Sequence, residues 1–189
     1  MIISDRNKFV FIHIPKCAGT SVRSRIEHLD DRNGAYSSRL DEHSELGLLN
    51  YVHIPLKTLK DQFPDEYVCV QTYRSMAVMR DPSARFVSSV SQYCNRYSDM
   101  GIRNHNIKTL RRQVDKLIDA IEEQEVLNPG GRLPAELIHF QRQHHYTHLD
   151  GAQVVQHIVD ISQIETVLVG LLGESELREN DSVKANESR

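Results

Sequence analysis

Two short stretches of this chain combine residue types that hold anions. The first is Pro15-Lys16-Cys17-Ala18-Gly19-Thr20-Ser21. Lys16 supplies a full positive charge on a flexible stem. Gly19 lets the backbone come close to a ligand, and Thr20 and Ser21 offer hydroxyl donors. If the stretch joins a strand to a helix, the N–H groups and dipole of the helix start add partial positive charge at the same spot. The sum is a cradle of phosphate size. The pattern GxxxxGK[ST] is absent, and the lysine precedes the glycine, so it is not a Walker A loop. The plain alternative is a capped turn with a solvated lysine.

The second stretch is Arg80-Asp81-Pro82-x-x-Arg85-x-x-Ser88. Pro82 suits the first turn of a helix, and Asp81 is placed to cap it. Arg80 then stands just before the helix start, able to grip a phosphate with two parallel hydrogen bonds. Ser88 follows about two turns later, and Arg85 could pair with Asp81. The plain alternative here is a helix start with a surface ion pair. Two cradles together point to one ligand with two separated phosphate-like groups.

A transfer reaction on such a ligand needs a proton acceptor, and histidine suits neutral pH. Among ten histidines, His53 in Tyr51-Val-His-Ile-Pro55 lies between the two cradles, at the end of an apolar run. His13 is second, expected to face into the sheet region. His139, His144, His145 and His148 cluster, and His144 and His148 are four apart, as on a zinc-binding helix. No Cys or acidic residue with matching spacing supports them, so no metal is expected and they should line an acceptor groove or a surface. Lys108, Arg111 and Arg112 read as a solvated face that could attract an anionic acceptor.

The elements that must hold these residues follow from periodicity. Residues 8–14 (KFVFIHI) are a mostly buried strand, ended by Pro15. Val22, Ile26 and Leu29 then fall at helical spacing, with Thr20 or Ser21 as cap. Residues 56–63 are a short helix broken at Pro64, and 75–79 a second strand running into Arg80. Phe86, Val87, Val90 and Tyr93 stripe the helix after Pro82. Residues 106–126 are the longest helix and 135–146 another, with a break at 128–134. A late strand at 157–161 and a closing helix at 164–172 complete the series. Strands alternating with helices predict an α/β fold with a central, mostly parallel sheet flanked by helices. Ligands of such sheets bind beyond the carboxyl ends of the strands, where both cradles fall. One domain over 1–173 and a polar tail over 174–189 are expected. Residues 30–50 and 97–108 would shape acceptor choice.

Composition narrows the function. The 189 residues suit one domain, and 39% hydrophobic content supports a sizeable core. The net charge of −3 argues against a general nucleic-acid binder. Aromatic content is 6%, with no Trp, which weakens a reading as an aromatic sugar platform. Cys17, Cys69 and Cys94 form no disulfide framework, so a reducing, cytoplasmic setting is expected. No apolar run approaches the roughly 20 residues of a membrane span.

A family resemblance adds to this. Residues 11–21 resemble the 5′-phosphosulfate loop of sulfotransferases that use PAPS (3′-phosphoadenylyl sulfate), and residues 78–89 resemble their 3′-phosphate motif. The likeness is to carbohydrate sulfotransferases of the heparan 2-O type and their short bacterial relatives. Gln143-x-x-Tyr146, Val159-Asp160 and Ile164-Glu165 resemble a weaker C-terminal pattern. The resemblance touches about residues 8–22, 50–93 and 137–173. It implies a P-loop-like sulfotransferase fold. It implies that Lys16, Cys17, Ala18, Gly19, Thr20 and Ser21 form the 5′-phosphosulfate loop, with Lys16 near the bridging oxygen. Arg80 and Ser88 would hold the 3′-phosphate. His53 resembles the catalytic histidine of the 2-O-sulfotransferases, and Glu42 or Glu45 are alternatives because some relatives use a carboxylate. Cys17-Ala18 stands where Thr-Gly is commoner. The expected co-substrate is PAPS, the product PAP (adenosine 3′,5′-bisphosphate), and the acceptor a small molecule or oligosaccharide. Two alternatives remain: a non-catalytic PAP-binding relative, and a P-loop-type nucleotide phosphotransferase.

Overall fold

The computed structural model describes residues 1–37, 39–97 and 106–178. Strand β1 (Ile2–Ser4) turns through Lys8, which has a positive φ of 48°, into β2 (Phe9–Ile12). The two pair antiparallel, with Ile3 opposite Val10. Helix α1 (Gly19–Ile26) follows β2 directly. A hairpin of β3 (Asp41–His43) and β4 (Gly47–Leu49) precedes helices α2 (Leu56–Gln62) and α3 (Pro64–Thr72). β5 (Arg74–Met79) leads into α4 (Pro82–Tyr97), and α5 (Ile107–Leu127) is the longest helix. The short pair β6 (His148–Leu149) and β7 (Ala152–Gln153) precedes β8 (His157–Asp160) and α6 (Ile164–Leu172).

The main sheet has the order β1-β2-β5-β8. β2 with β5 and β5 with β8 are parallel, and only the edge strand β1 is antiparallel. Central strand β5 is buried from Ser75 to Val78, as a strand covered on both faces must be. Phe9, Phe11, Met76 and Val78 join Val22 and Ile26 of α1 and Leu168 of α6 in the main core. A second cluster, with Val90, Cys94, Leu117, Leu133 and Phe140, binds α4 and α5 to the segment before β6. The parallel strands point their carboxyl ends at one edge, where β2 gives way to the Lys16 loop and β5 to Arg80. Among the described residues, no helix is long and apolar enough to cross a membrane.

Three elements differ from the expectations above. Pro64 does not stop the chain: it opens α3, with Asp65 and Glu66 in the first turn where the dipole favours them. Residues 135–146 are not one helix but two 3₁₀ turns, 138–140 and 143–146. The carbonyls of His139 and Gln141 accept hydrogen bonds from Arg85, and the backbone bonds of this segment are those of 3₁₀ turns. The N-cap of α1 is Ala18, with φ 56° and no side-chain cap, so Thr20 and Ser21 lie inside the first turn. Of the expected tail, residues 174–176 form a 3₁₀ turn, and the Arg178 N–H donates to Arg25 O at 3.1 Å. Residues 179–189 lie outside the described ones, as do 98–105 of the stretch expected to shape acceptor choice.

Candidate active site

The first cradle is built by a backbone that reverses twice. Lys16 and Ala18 both take positive φ, 64° and 56°, conformations that cost an L-residue free energy and persist only where surroundings hold them. The Ser21 and Val22 N–H groups return to Ala18 O, which starts the helix. The donors before them keep no helical acceptor, as at any helix start. The His13 imidazole packs against this start. A Cβ added to Gly19 would stand 1.9 Å from His13 Cδ2, so only glycine fits beneath the ring. Lys16 Nζ donates to Gln92 Oε1 at 2.6 Å. Cys17 points the other way, 1% exposed. Burial pushes its thiol up to about 11, so it stays protonated and donates to Gln143 Oε1 at 3.1 Å.

The second cradle starts α4. The Asp81 carboxylate accepts the Ala84 N–H at 2.8 Å, a cap, and Pro82 is the first helical residue. Arg85 does not pair with Asp81. Its buried guanidinium donates to three carbonyls: Pro15 at 3.4 Å, His139 at 3.0 Å and Gln141 at 2.8 Å. Arg85 therefore ties the first cradle to the second and both to the 138–141 turn. The Ser89 hydroxyl donates to His139 O at 2.9 Å in the same knot.

Both cradles open into one cavity of about 370 Å³. Lys16, Ala18, Gly19, Thr20, Arg80, Ser88 and His53 all line it, whereas Cys17 and Ser21 do not. A neighbouring depression of about 530 Å³ shares Lys16, Arg80, Ser88 and Gln92 and continues along α4 past Ala84 and Val87. The site is thus elongated. Among the described residues, five basic side chains line the cavity, Lys16, Arg23, Arg39, Arg80 and Arg96, and no carboxylate does. The chain as a whole carries a net charge of −3. Partial burial lowers the Lys16 ammonium from its usual value, helped by Arg80 and then Arg39.

Three imidazoles form one wall. His53 packs edge-on to His13 at 4.6 Å and to His139 at 5.6 Å between centroids. His53 Nδ1 lies 2.8 Å from His13 O. A carbonyl can only accept, so Nδ1 carries the proton and Nε2 keeps a lone pair. Burial pulls the His53 imidazole down to about 3 and only partly yields to the stabilising bond from His13 O. Burial likewise takes His139 down to about 4, with Lys16 adding to the effect, and His13 well below its usual range. All three are neutral at pH 7. His13 differs from its expected position: it faces the cavity over Gly19, not the sheet.

Glu42 and Glu45 sit on and beside the exposed β3–β4 hairpin, outside the cavity lining. His144, His145 and His148 line a separate depression of about 550 Å³ with Lys57 and Asp150. Among the described residues no group of three or more His, Cys, Asp or Glu is placed to hold a metal ion. Lys108, Arg111 and Arg112 are exposed on α5.

Several lining residues were not singled out from sequence. Gln92 and Arg96 continue Ser88 at i+4 and i+8 along one face of α4, a signal that helical spacing carries. Arg39 and Asn50 come from irregular chain, where no period exists to find them. His139, named from the sequence within the histidine cluster, also lines the cavity.

The α/β fold thus brings strand ends and helix starts to a pocket lined, among the described residues, by cations and no carboxylate. The model of the sulfotransferase family matches residues 1–164. The chain belongs to that family, whose members transfer sulfuryl groups, and both cradles fall within the match. Comparison with curated proteins and with solved structures gave no match.

Proposed function

We propose that this protein moves a sulfuryl group from PAPS to a hydroxyl of a carbohydrate or other small-molecule acceptor, with His53 as the general base. The observation that supports it most is the cavity lining: among the described residues, five cations, no carboxylate, and both cradles on one elongated site. PAPS carries anionic groups at both ends of one adenosine, and Lys16 and Arg80 both line the two adjoining depressions of this site. The backbone N–H groups of the α1 start suit a phosphosulfate.

In this reading Lys16 stands at the bridging oxygen and stabilises the charge that develops there as the sulfur–oxygen bond to the phosphate breaks. Arg80 and Ser88 hold the 3′-phosphate. His53 Nε2 accepts the proton of the acceptor hydroxyl as its oxygen bonds to sulfur. Neutral His53 has its lone pair available at any physiological pH, and anions arriving beside it raise its proton affinity. The moved group carries less charge than a phosphoryl group, and the cavity's own cations supply the compensating charge.

Thermal shift with three nucleotides tests the donor. PAP should raise the melting temperature well above the effect of AMP or ATP, and Arg80→Ala should abolish that response. Equal responses to all three would overturn the PAPS reading. Labelled sulfate transfer from PAPS across an acceptor panel tests the chemistry. His53→Ala should keep the PAP response and lose turnover. Turnover retained in that variant would remove His53 from the mechanism.

A further inference from the structure

Gln143 is 7% exposed and outside the cavity lining, yet its carboxamide touches the Arg80 backbone of one cradle and the Cys17 side chain of the other. Its Oε1 accepts the Arg80 N–H at 3.0 Å, and its Nε2 donates to Arg80 O at 2.8 Å. The same Oε1 accepts the Cys17 thiol at 3.1 Å. Both backbone groups of Arg80 are therefore held by one side chain. This happens where the sheet stops helping: β2 and β5 last pair at Ile12 with Ala77, and β5 and β8 at Met79 with Asp160. Arg80 is one residue past the ladder, and Gln143 takes the place of the missing strand.

We propose that Gln143, held by the Cys17 thiol, is a positioning residue that fixes the spacing between the two anion cradles. Cys17 moves with the Lys16 loop and Arg80 with the start of α4, so the carboxamide is a cross-link between them. The inference rests on the two-ended nucleotide reading given above. A rigid ligand with a phosphate at each end gains affinity from the second contact only if the protein holds both contacts at the ligand's own spacing. A ligand with one phosphate gains nothing from that spacing. Loosening the cross-link should therefore weaken PAP far more than it weakens a nucleotide that uses one cradle. A residue serving stability alone would weaken all of them alike.

The test measures dissociation constants by calorimetry for PAP, AMP and adenosine 3′-monophosphate on the full chain. Gln143→Leu should cost PAP about tenfold more affinity than either monophosphate. Gln143→Glu keeps the acceptor oxygen but sets a second oxygen against Arg80 O, and should show the same selective loss. Cys17→Ser keeps a donor and should retain the wild-type ratio of PAP to AMP affinity, whereas Cys17→Ala should lower it. The Cys17 pair reads the same quantity if Gln143→Leu fails to fold. Equal losses for all three nucleotides, or an unchanged ratio in the Gln143 variants and in Cys17→Ala, overturn the proposal. Wild-type protein that binds PAP no better than AMP would instead overturn the two-ended reading itself.

Discussion

A Cβ built on Gly19 would meet Cδ2 and Nε2 of His13 at 1.9 and 2.0 Å. No rotation of the glycine relieves that contact, because the helix start and the ring are both fixed by burial. Gly19→Ala should push the imidazole aside, at a cost of about 1–3 kcal/mol for an overpacked site. It should also displace His13 O, the acceptor of His53 Nδ1. The double variant Gly19→Ala/His13→Ala should recover most of the stability in urea titration. If it recovers none, the close approach is not what glycine is there for. Ala18, one residue earlier, is an L-residue at φ 56°. Ala18→Gly removes a left-handed strain of about 1–2 kcal/mol but gives up chain entropy worth about 0.5–1 kcal/mol. A net gain of up to about 1 kcal/mol is expected in the same titration, and a net loss would mean that the methyl group packs.

At the scale of elements, α4 does more than start at a proline. Its buried Arg85 serves three carbonyls from two other segments. Arg85→Met keeps the bulk of the stem but leaves those acceptors unsatisfied. It should destabilise by about 3 kcal/mol or more, whereas Asp81→Ala removes one cap bond and should cost about 1 kcal/mol. Comparable losses from the two would return Arg85 to the role of a surface partner for Asp81. This contrast also marks how far the residues alone reach. Strand, loop and helix around Lys16 and Arg80 were legible because apolar runs, Pro15, Gly19 and Pro82 each act locally. The closing helix was legible from Ile164 to Leu172 for the same reason. The segment 135–146 was not, because its carbonyls are claimed by an arginine about fifty residues away. The edge strand β1 was missed because a three-residue strand has too few residues to show a period. In the cavity, Lys16, Arg80, Ser88 and His53 were visible as motif members. Arg39 and Asn50 owe their places in the cavity to folding, which no spacing along the chain records.

For the molecule as a whole, the clearest consequence is a coupling between protons, anions and stability. In the unfolded chain each histidine titrates near 6.5. In the fold His53 lies at about 3 and His139 at about 4, both because burial disfavours the imidazolium. Between pH 6.5 and about 4 the unfolded state therefore binds more protons, so stability falls as the pH falls through that window and is fully present above it. At pH 5 each of the two should cost on the order of 1–2 kcal/mol relative to pH 7.5. The cations beside them, Lys16 and Arg39, act in the same direction, so a bound polyanion must act in the opposite one. Urea midpoints at pH 5.0 and 7.5 should differ clearly in the wild type and less in His53→Gln, which has one fewer imidazole to charge. PAP, by favouring imidazolium in that wall, should raise the melting temperature more at pH 6 than at pH 8. Equal pH slopes in wild type and variant would show that these imidazoles are not what titrates. A PAP effect that does not grow as the pH is lowered would separate the anion site from the histidine wall.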